Sequence, residues 1–143
     1  MRSIGILLIT CLFFSFSQES TRLDIEITNI RSHKGIIRIS VYTAPGQYPY
    51  HPAKTYEVKK DSVVNGVLHT SISDLVPGEY GLCFLDDENN SGQLDSNFIG
   101  IPQEGFGFAN NPKPLLKRPD YQHVIFKLTP GINRIHLITR YKN

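Results

Sequence analysis

The sequence predicts an all-β protein: an antiparallel sandwich of about seven strands carrying one long ordered loop. Three observations predict it. Apolar and polar residues alternate with period two in segment after segment, turn chemistry separates those segments, and no stretch of useful length has helical periodicity. A chain of 143 residues is long enough for one such domain with a real core.

The domain is expected to follow a leader. Met1-Arg2 is a short positive start, Ile4 to Phe14 is apolar apart from Gly5 and Thr10, and Ser15-Phe16-Ser17 offers the small residues a signal peptidase reads. Residues 1–17 therefore read as a signal peptide and 18–143 as a single β-sandwich domain, exported to the periplasm, the cell surface or the medium. The apolar run is too short for a stable membrane anchor, so no transmembrane segment is expected after cleavage. Cys11 is not expected to carry lipid, because Leu12-Phe13-Phe14 continues the apolar run where a polar tether would be needed. Removing the leader leaves 14 basic and 13 acidic residues, with no basic stripe, which argues against a nucleic-acid partner. It also leaves Cys83 alone, so no intrachain disulfide is expected, and its apolar neighbours make it a buried small hydrophobe.

Leu23 to Thr28 alternates with one wet face. After the turn at Ser32-His33-Lys34-Gly35, Ile37, Ile39 and Val41 resume the pattern, and the two segments read as a hairpin. Thr43 to Pro52 is too rich in proline for a central strand. Tyr56 and Val58 open a third strand, a candidate mixed edge, and Leu68, Thr70 and Ile72 a fourth. In Val76-Pro77-Gly78-Glu79-Tyr80, Pro-Gly is turn chemistry, and the tyrosine matches the tyrosine corner of immunoglobulin-like sandwiches. The expected fold is accordingly immunoglobulin-like or transthyretin-like. Tyr80 to Leu85 is apolar on both parities and should be a central strand. Val124, Phe126 and Leu128, then Ile135 and Leu137 after Thr129-Pro130-Gly131, supply the last two strands.

Residues 86–120 show no helix or strand signal and read as one long loop, with Phe98, Ile99, Phe106 and Phe108 expected to anchor it. From Asp87 the spacing is D-x-N-x-S-G-x-x-D, close to the pattern by which side chains at positions 1, 3, 5 and 9 and a carbonyl at 7 wrap calcium, with glycine at 6 making the sharp turn. Asp87, Asn89, Ser91, Gln93 and Asp95 are the candidate metal ligands, and Leu94 the inward apolar residue. Phe98 stands at position 12, where a bidentate glutamate is usual, so Asp86, Asp120, Glu104 or water would have to complete the shell. With two carboxylates, affinity should fall in the range of about 10⁻⁴–10⁻³ M. The alternative is a polar turn whose Asn and Asp side chains cap their own backbone. Glu104-Gly105-Phe106-Gly107-Phe108 reads as rings plugging one end of the sandwich, or as an aromatic ligand platform. The five histidines have no paired ligand spacing, and no G-x-S-x-G or phosphate-binding loop occurs.

Val76-Pro77-Gly78-Glu79-Tyr80, Asp87-Glu88-Asn89, Gly92-Gln93-Leu94-Asp95, Gly100-Ile101-Pro102 and the run from Glu104 to Asn111 together resemble the bacterial secreted family called domain of unknown function 2141. The resemblance spans about Leu23 to Leu137 and implies an exported sandwich without supplying an activity. It also implies histidine where Asp86 stands, and Asn-Gly-Asn-Gly where this chain has Asn89-Asn90-Ser91-Gly92. The expectation is a non-enzymatic module with a structural calcium ion, binding a protein, peptide or glycan at the cell envelope. One alternative is a glycan hydrolase using Asp86, Glu88 or Glu104. Another is a structural subunit associating through the edge near Tyr56.

Overall fold

The computed structural model describes residues 20–113 and 117–142; the expected leader lies outside the described residues. Among them the chain forms eight strands: β1 (Thr21–Thr28), β2 (Ile36–Tyr42), β3 (Lys54–Lys59), β4 (Leu68–Ile72), β5 (Gly78–Asp87), β6 (Gly105–Phe108), β7 (Ile125–Leu128) and β8 (Gly131–Ile138). They make two sheets, β4-β1-β8 and β3-β2-β5-β6, with β7 also paired to β5. The sheets share one core. Leu23, Ile25 and Ile27 of β1 face Ile37, Ile39 and Val41 of β2, with Leu68, Leu82, Phe84 and Leu137 among them. Each is an inward position of a period-two strand, and burying such a side chain contributes about 1.5–3 kcal/mol.

Two features of the strand pairing depart from the sequence expectation. The segments read as a hairpin, β1 and β2, lie in different sheets: β1 pairs with β4, β2 with β3 and β5. The crossing is fixed by Asn29 in the left-handed region (φ 62°) and by Ile30, which is buried and donates its N–H to Gly66 O at 2.9 Å. The sheet is also not wholly antiparallel, because β8 returns parallel to β1, Thr21 opposite Gly131 and Thr28 opposite Ile138.

β5 organises the second sheet. One edge pairs with β2 from Gly81 to Asp87; the other pairs first with β7, Gly78 to Gly81, and then with β6, Cys83 to Asp86. Its entry is a tyrosine corner, with Tyr80 Oη donating to Val76 O at 2.9 Å. Its exit carries the acidic loop.

The Gly-Phe-Gly-Phe run, read as loop, is the strand β6. Strand alternation turns Phe106 and Phe108 to the outer face of the sheet, where they cluster with Val124, Tyr48, Cys83 and Tyr121. Gly105 and Gly107 face inward. A Cβ at Gly105 would lie 2.5 Å from the Tyr141 ring and 2.6 Å from Thr139, so only glycine lets the chain after β8 come this close. Phe106 and Arg140 exchange both backbone hydrogen bonds there, joining the two sheets. Burial in this cluster raises the pKa of the Cys83 thiol.

Candidate site at the acidic loop

β5 runs out in three consecutive carboxylates, Asp86-Asp87-Glu88, and the fold gives each its own cation. Strand alternation sends Asp86 inward. There Lys60 Nζ donates to Oδ1 and Tyr141 Oη to Oδ2, with the Lys60 and Asp86 side chains both fully buried. Burial and the Asp86 contact both raise the Tyr141 pKa. Asp87 turns to the outer face, where Arg38 Nε donates to Oδ2 at 2.8 Å. Glu88 is gripped by the Arg31 guanidinium, which also donates to Gln103 O at 2.9 Å, and by the Ser32 hydroxyl at 2.6 Å. Arg31 in turn lies 4.3 Å from the Tyr141 ring centroid.

Asp87 also shapes the loop that follows. Its Oδ1 accepts from Ser91 N and its Oδ2 from Gly92 N, each at 2.9 Å, while Gly92 takes the positive φ (79°) the turn requires. Asn89 Oδ1 accepts from the same Ser91 N–H at 2.9 Å, and Asn89 Nδ2 donates to Asp95 Oδ2 at 2.6 Å. Ser91 Oγ donates to the Gln93 carbonyl at 3.0 Å. The five residues singled out by spacing are thus brought together in one hydrogen-bonded loop.

Glu104, 4% exposed, closes the loop from its far side. Its Oε1 accepts from Glu88 N at 3.0 Å and its Oε2 from Asp95 N at 3.3 Å, so one carboxylate ties both ends together. Of the candidates for completing a shell, Glu104 alone touches the loop. Asp86 belongs to the buried pair with Lys60, and Asp120 lies beside Lys117 before the short 3₁₀ turn Tyr121–His123. Two expectations are corrected here. Leu94 is 39% exposed rather than inward, and Phe98 and Ile99 anchor nothing, being 100% and 66% exposed.

The electrostatics separate these acids. Burial opposes ionisation of Asp87, but hydrogen bonds from Arg38, Gly92 and Ser91 outweigh it and hold its pKa below the usual carboxylate range. Arg31 does the same for Glu88, against a smaller effect of burial. Glu104 moves the other way: burial raises it, the two backbone N–H groups oppose, and the like charges of Asp87 and Asp95 push it further up. Asp87 and Glu88 therefore stabilise the fold fully above the ordinary carboxylate pKa of about 4 and lose that contribution as pH falls through their lowered values. Glu104 has the opposite sign, since a raised folded pKa favours the protonated folded state. Two lowered groups against one raised group predict a loop base that loosens in acid. The Ser91 and Gly92 amides should exchange hydrogen faster, relative to their intrinsic rates, at pH 3 than at pH 6; equal protection at both would contradict this.

The donor chemistry of the loop suits a hard cation. Asp87, Ser91, the Gln93 carbonyl and Asp95 offer oxygen, while Asn89 turns its Nδ2 to Asp95, and neither Asp95 nor Glu104 forms an ion pair among the described residues. The set is not a ready-made cage: no group of three His, Cys, Asp or Glu among the described residues is arranged to hold a metal, and Arg38 already meets the charge of Asp87.

A family model described as "uncharacterized protein conserved in bacteria (DUF2141)" matches residues 25–136. The chain belongs to this family. No curated protein and no solved structure matches it. The matched span of this DUF2141 chain runs from β1 into β8 and contains the whole acidic loop. Within it, Asp86 stands where the resemblance implied histidine, and the buried Lys60 and Tyr141 are what make a carboxylate stable there. Sequence reasoning did not identify Arg31, Arg38, Lys60 or Tyr141. The available signal was the D-D-E run itself, because three adjacent carboxylates at the end of a buried strand require cations from neighbouring strands.

Proposed function

We propose that this chain is an exported, non-enzymatic β-sandwich module of the cell envelope or extracellular space. Its acidic loop is a presented binding element, and calcium held by Asp87, Asn89, Ser91, the Gln93 carbonyl and Asp95 stiffens the base of that loop. The observation that carries the reading is the loop's construction: a base fixed by Glu104, Asp87 and Glu88, and an outer half that shows apolar side chains to solvent. Calcium would supply positive charge between Asp95 and its neighbours; the protein's own residues already supply the shape.

Asp87→Ala is a poor test of calcium, because it also removes the Arg38 ion pair and the caps on Ser91 and Gly92. Asp95→Asn is the better variant. Melting of the unsubstituted protein should shift upward on adding calcium at millimolar concentration, and Asp95→Asn should abolish most of that shift while melting normally in chelator. Identical melting curves with calcium and with chelator would remove calcium from the reading.

The hydrolase alternative gains little from the geometry. Asp86 and Glu88 are each committed to a basic partner, and Glu104 spends both oxygens on backbone N–H groups, so no acid and base converge on a free centre. The edge strand β3 ends in Lys54 and Lys59, which blunts it as a pairing template, and Lys54 and Tyr56 both reach across to Asp74.

A further inference from the structure

The outer half of the loop is itself a small hairpin. Gln103 N donates to Asp95 O at 2.8 Å, Asn97 N to Ile101 O at 2.9 Å, and Ser96 bridges Pro102. Phe98-Ile99-Gly100 forms the three-residue turn, with Gly100 in the left-handed conformation (φ 81°) that closes such turns. This places Phe98 and Ile99 side by side at the apex, with Phe98 wholly exposed. A single exposed apolar residue needs no explanation. Two adjacent large ones at the tip of a hairpin held rigid at its base do.

Three backbone donors of the apex are satisfied within the turn. Gly100 N donates to Asn97 O at 2.9 Å, and Ile99 N and Ile101 N both donate to Asn97 Oδ1, at 3.1 and 2.9 Å. One asparagine satisfies three consecutive N–H groups that would otherwise demand water. Donors satisfied within the turn lower the cost of bringing the tip into a lipid interface, where water still reaches the outward carbonyls of Phe98, Ile99 and Gly100. The same bonds leave those donors unable to pair with the main chain of a protein partner. The charge of the loop narrows the choice further. From Glu88 to Glu104 it carries Glu88, Asp95 and Glu104 and no Lys or Arg, so an anionic surface would repel it and a neutral one would not.

We propose that the Phe98–Ile99 apex is a lipid-inserting tip that dips into the interface of a zwitterionic phospholipid surface, with Asn97 as the residue that satisfies three of its backbone donors. This deepens the binding role proposed above, and it is tested without calcium so that the two ideas can fail separately. Two side chains give weak, reversible attachment, weaker than a lipid anchor.

The test uses the chain from Gln18 onward, which holds both sheets, with phosphatidylcholine and phosphatidylethanolamine vesicles in chelator. Cosedimentation should be measurable, insensitive to raising the salt to about 0.5 M, and about ten- to hundredfold weaker for Phe98→Ala. Phe98→Trp adds the only tryptophan of the chain. Its emission should shift to the blue on vesicles and be quenched by lipids brominated in the acyl chain. Tryptophan emission unchanged by vesicles would overturn the proposal, and the apex would then be an exposed or protein-docking tip. Attachment that vanishes in salt, or survives Phe98→Ala undiminished, would overturn it as well.

Discussion

Lys60→Met should lower the stability of the domain by about 3–5 kcal/mol, enough to reduce its melting temperature by on the order of 10 °C. The size of the effect follows from what is left behind. Lys60 and Asp86 are both fully buried, and Asp86 has Tyr141 as its other partner. Methionine keeps the apolar stem of the lysine and removes the charge, so a carboxylate remains in the core beside one hydroxyl. Asp86→Leu should cost a comparable amount for the mirror-image reason. The double variant Lys60→Met/Asp86→Leu should recover most of the loss, because a buried ion pair exchanged for packed apolar side chains is close to neutral. A remainder of about 1–3 kcal/mol should persist, because the Tyr141 hydroxyl loses its acceptor; Tyr141→Phe should return only part of it, since the same oxygen accepts from Arg31 N at 3.1 Å. Denaturant midpoints across these variants decide the matter. A cost below about 1 kcal/mol for Lys60→Met would mean that water reaches the pair.

The strands were legible because their signal is local. Ile25-Glu26-Ile27 or Ile37-Arg38-Ile39 carries its alternation within a few residues, and so does the turn ahead of Tyr80. Pairing is not local. The hairpin expected between β1 and β2 fails because Asn29 and Ile30 carry the chain across to the other sheet, a choice made through contact with Gly66. Glycine is a poor strand former, so Gly105 and Gly107 hid β6; the phenylalanines between them signalled burial correctly but not on which face. The acidic loop divides the same way. Spacing gathered Asp87, Asn89, Ser91, Gln93 and Asp95, since a turn of that length brings its own side chains together. The cations that make the loop's base stable come from strands and turns far away in sequence, 57 residues for Arg31 and Glu88 and 49 for Arg38 and Asp87, where no local pattern points. Phe98 and Ile99 depart for a different reason: apolar character does not dictate burial, and an apolar side chain is free to be exposed where a surface is meant to meet something else.

Gly107→Ala tests how tightly β6 is wedged between the sheets. At this position the strand turns its inner side to Phe84 and to the end of β8, and an added Cβ would overlap the Phe84 ring and lie 2.8 Å from the Ile138 carbonyl oxygen. The ring is 2% exposed and fully engaged in the core, and the carbonyl belongs to a strand fixed by eight register positions against β1, so neither neighbour can yield cheaply. The φ of Gly107 is not in the left-handed region, so the penalty is one of space rather than of backbone conformation. Overpacking of this kind costs about 1–3 kcal/mol. The loss should be accompanied by faster hydrogen exchange at Phe106 N and Arg140 N, the two donors that join β6 to the chain after β8. Phe84→Leu in the same chain should return part of the stability by making room for the new methyl group. If Gly107→Ala melts with the unsubstituted protein and the Phe106 and Arg140 amides stay protected, the close approach of the two sheets at β6 is wrong. The acidic loop would then lose the support that Glu104, one residue before β6, gives to its base.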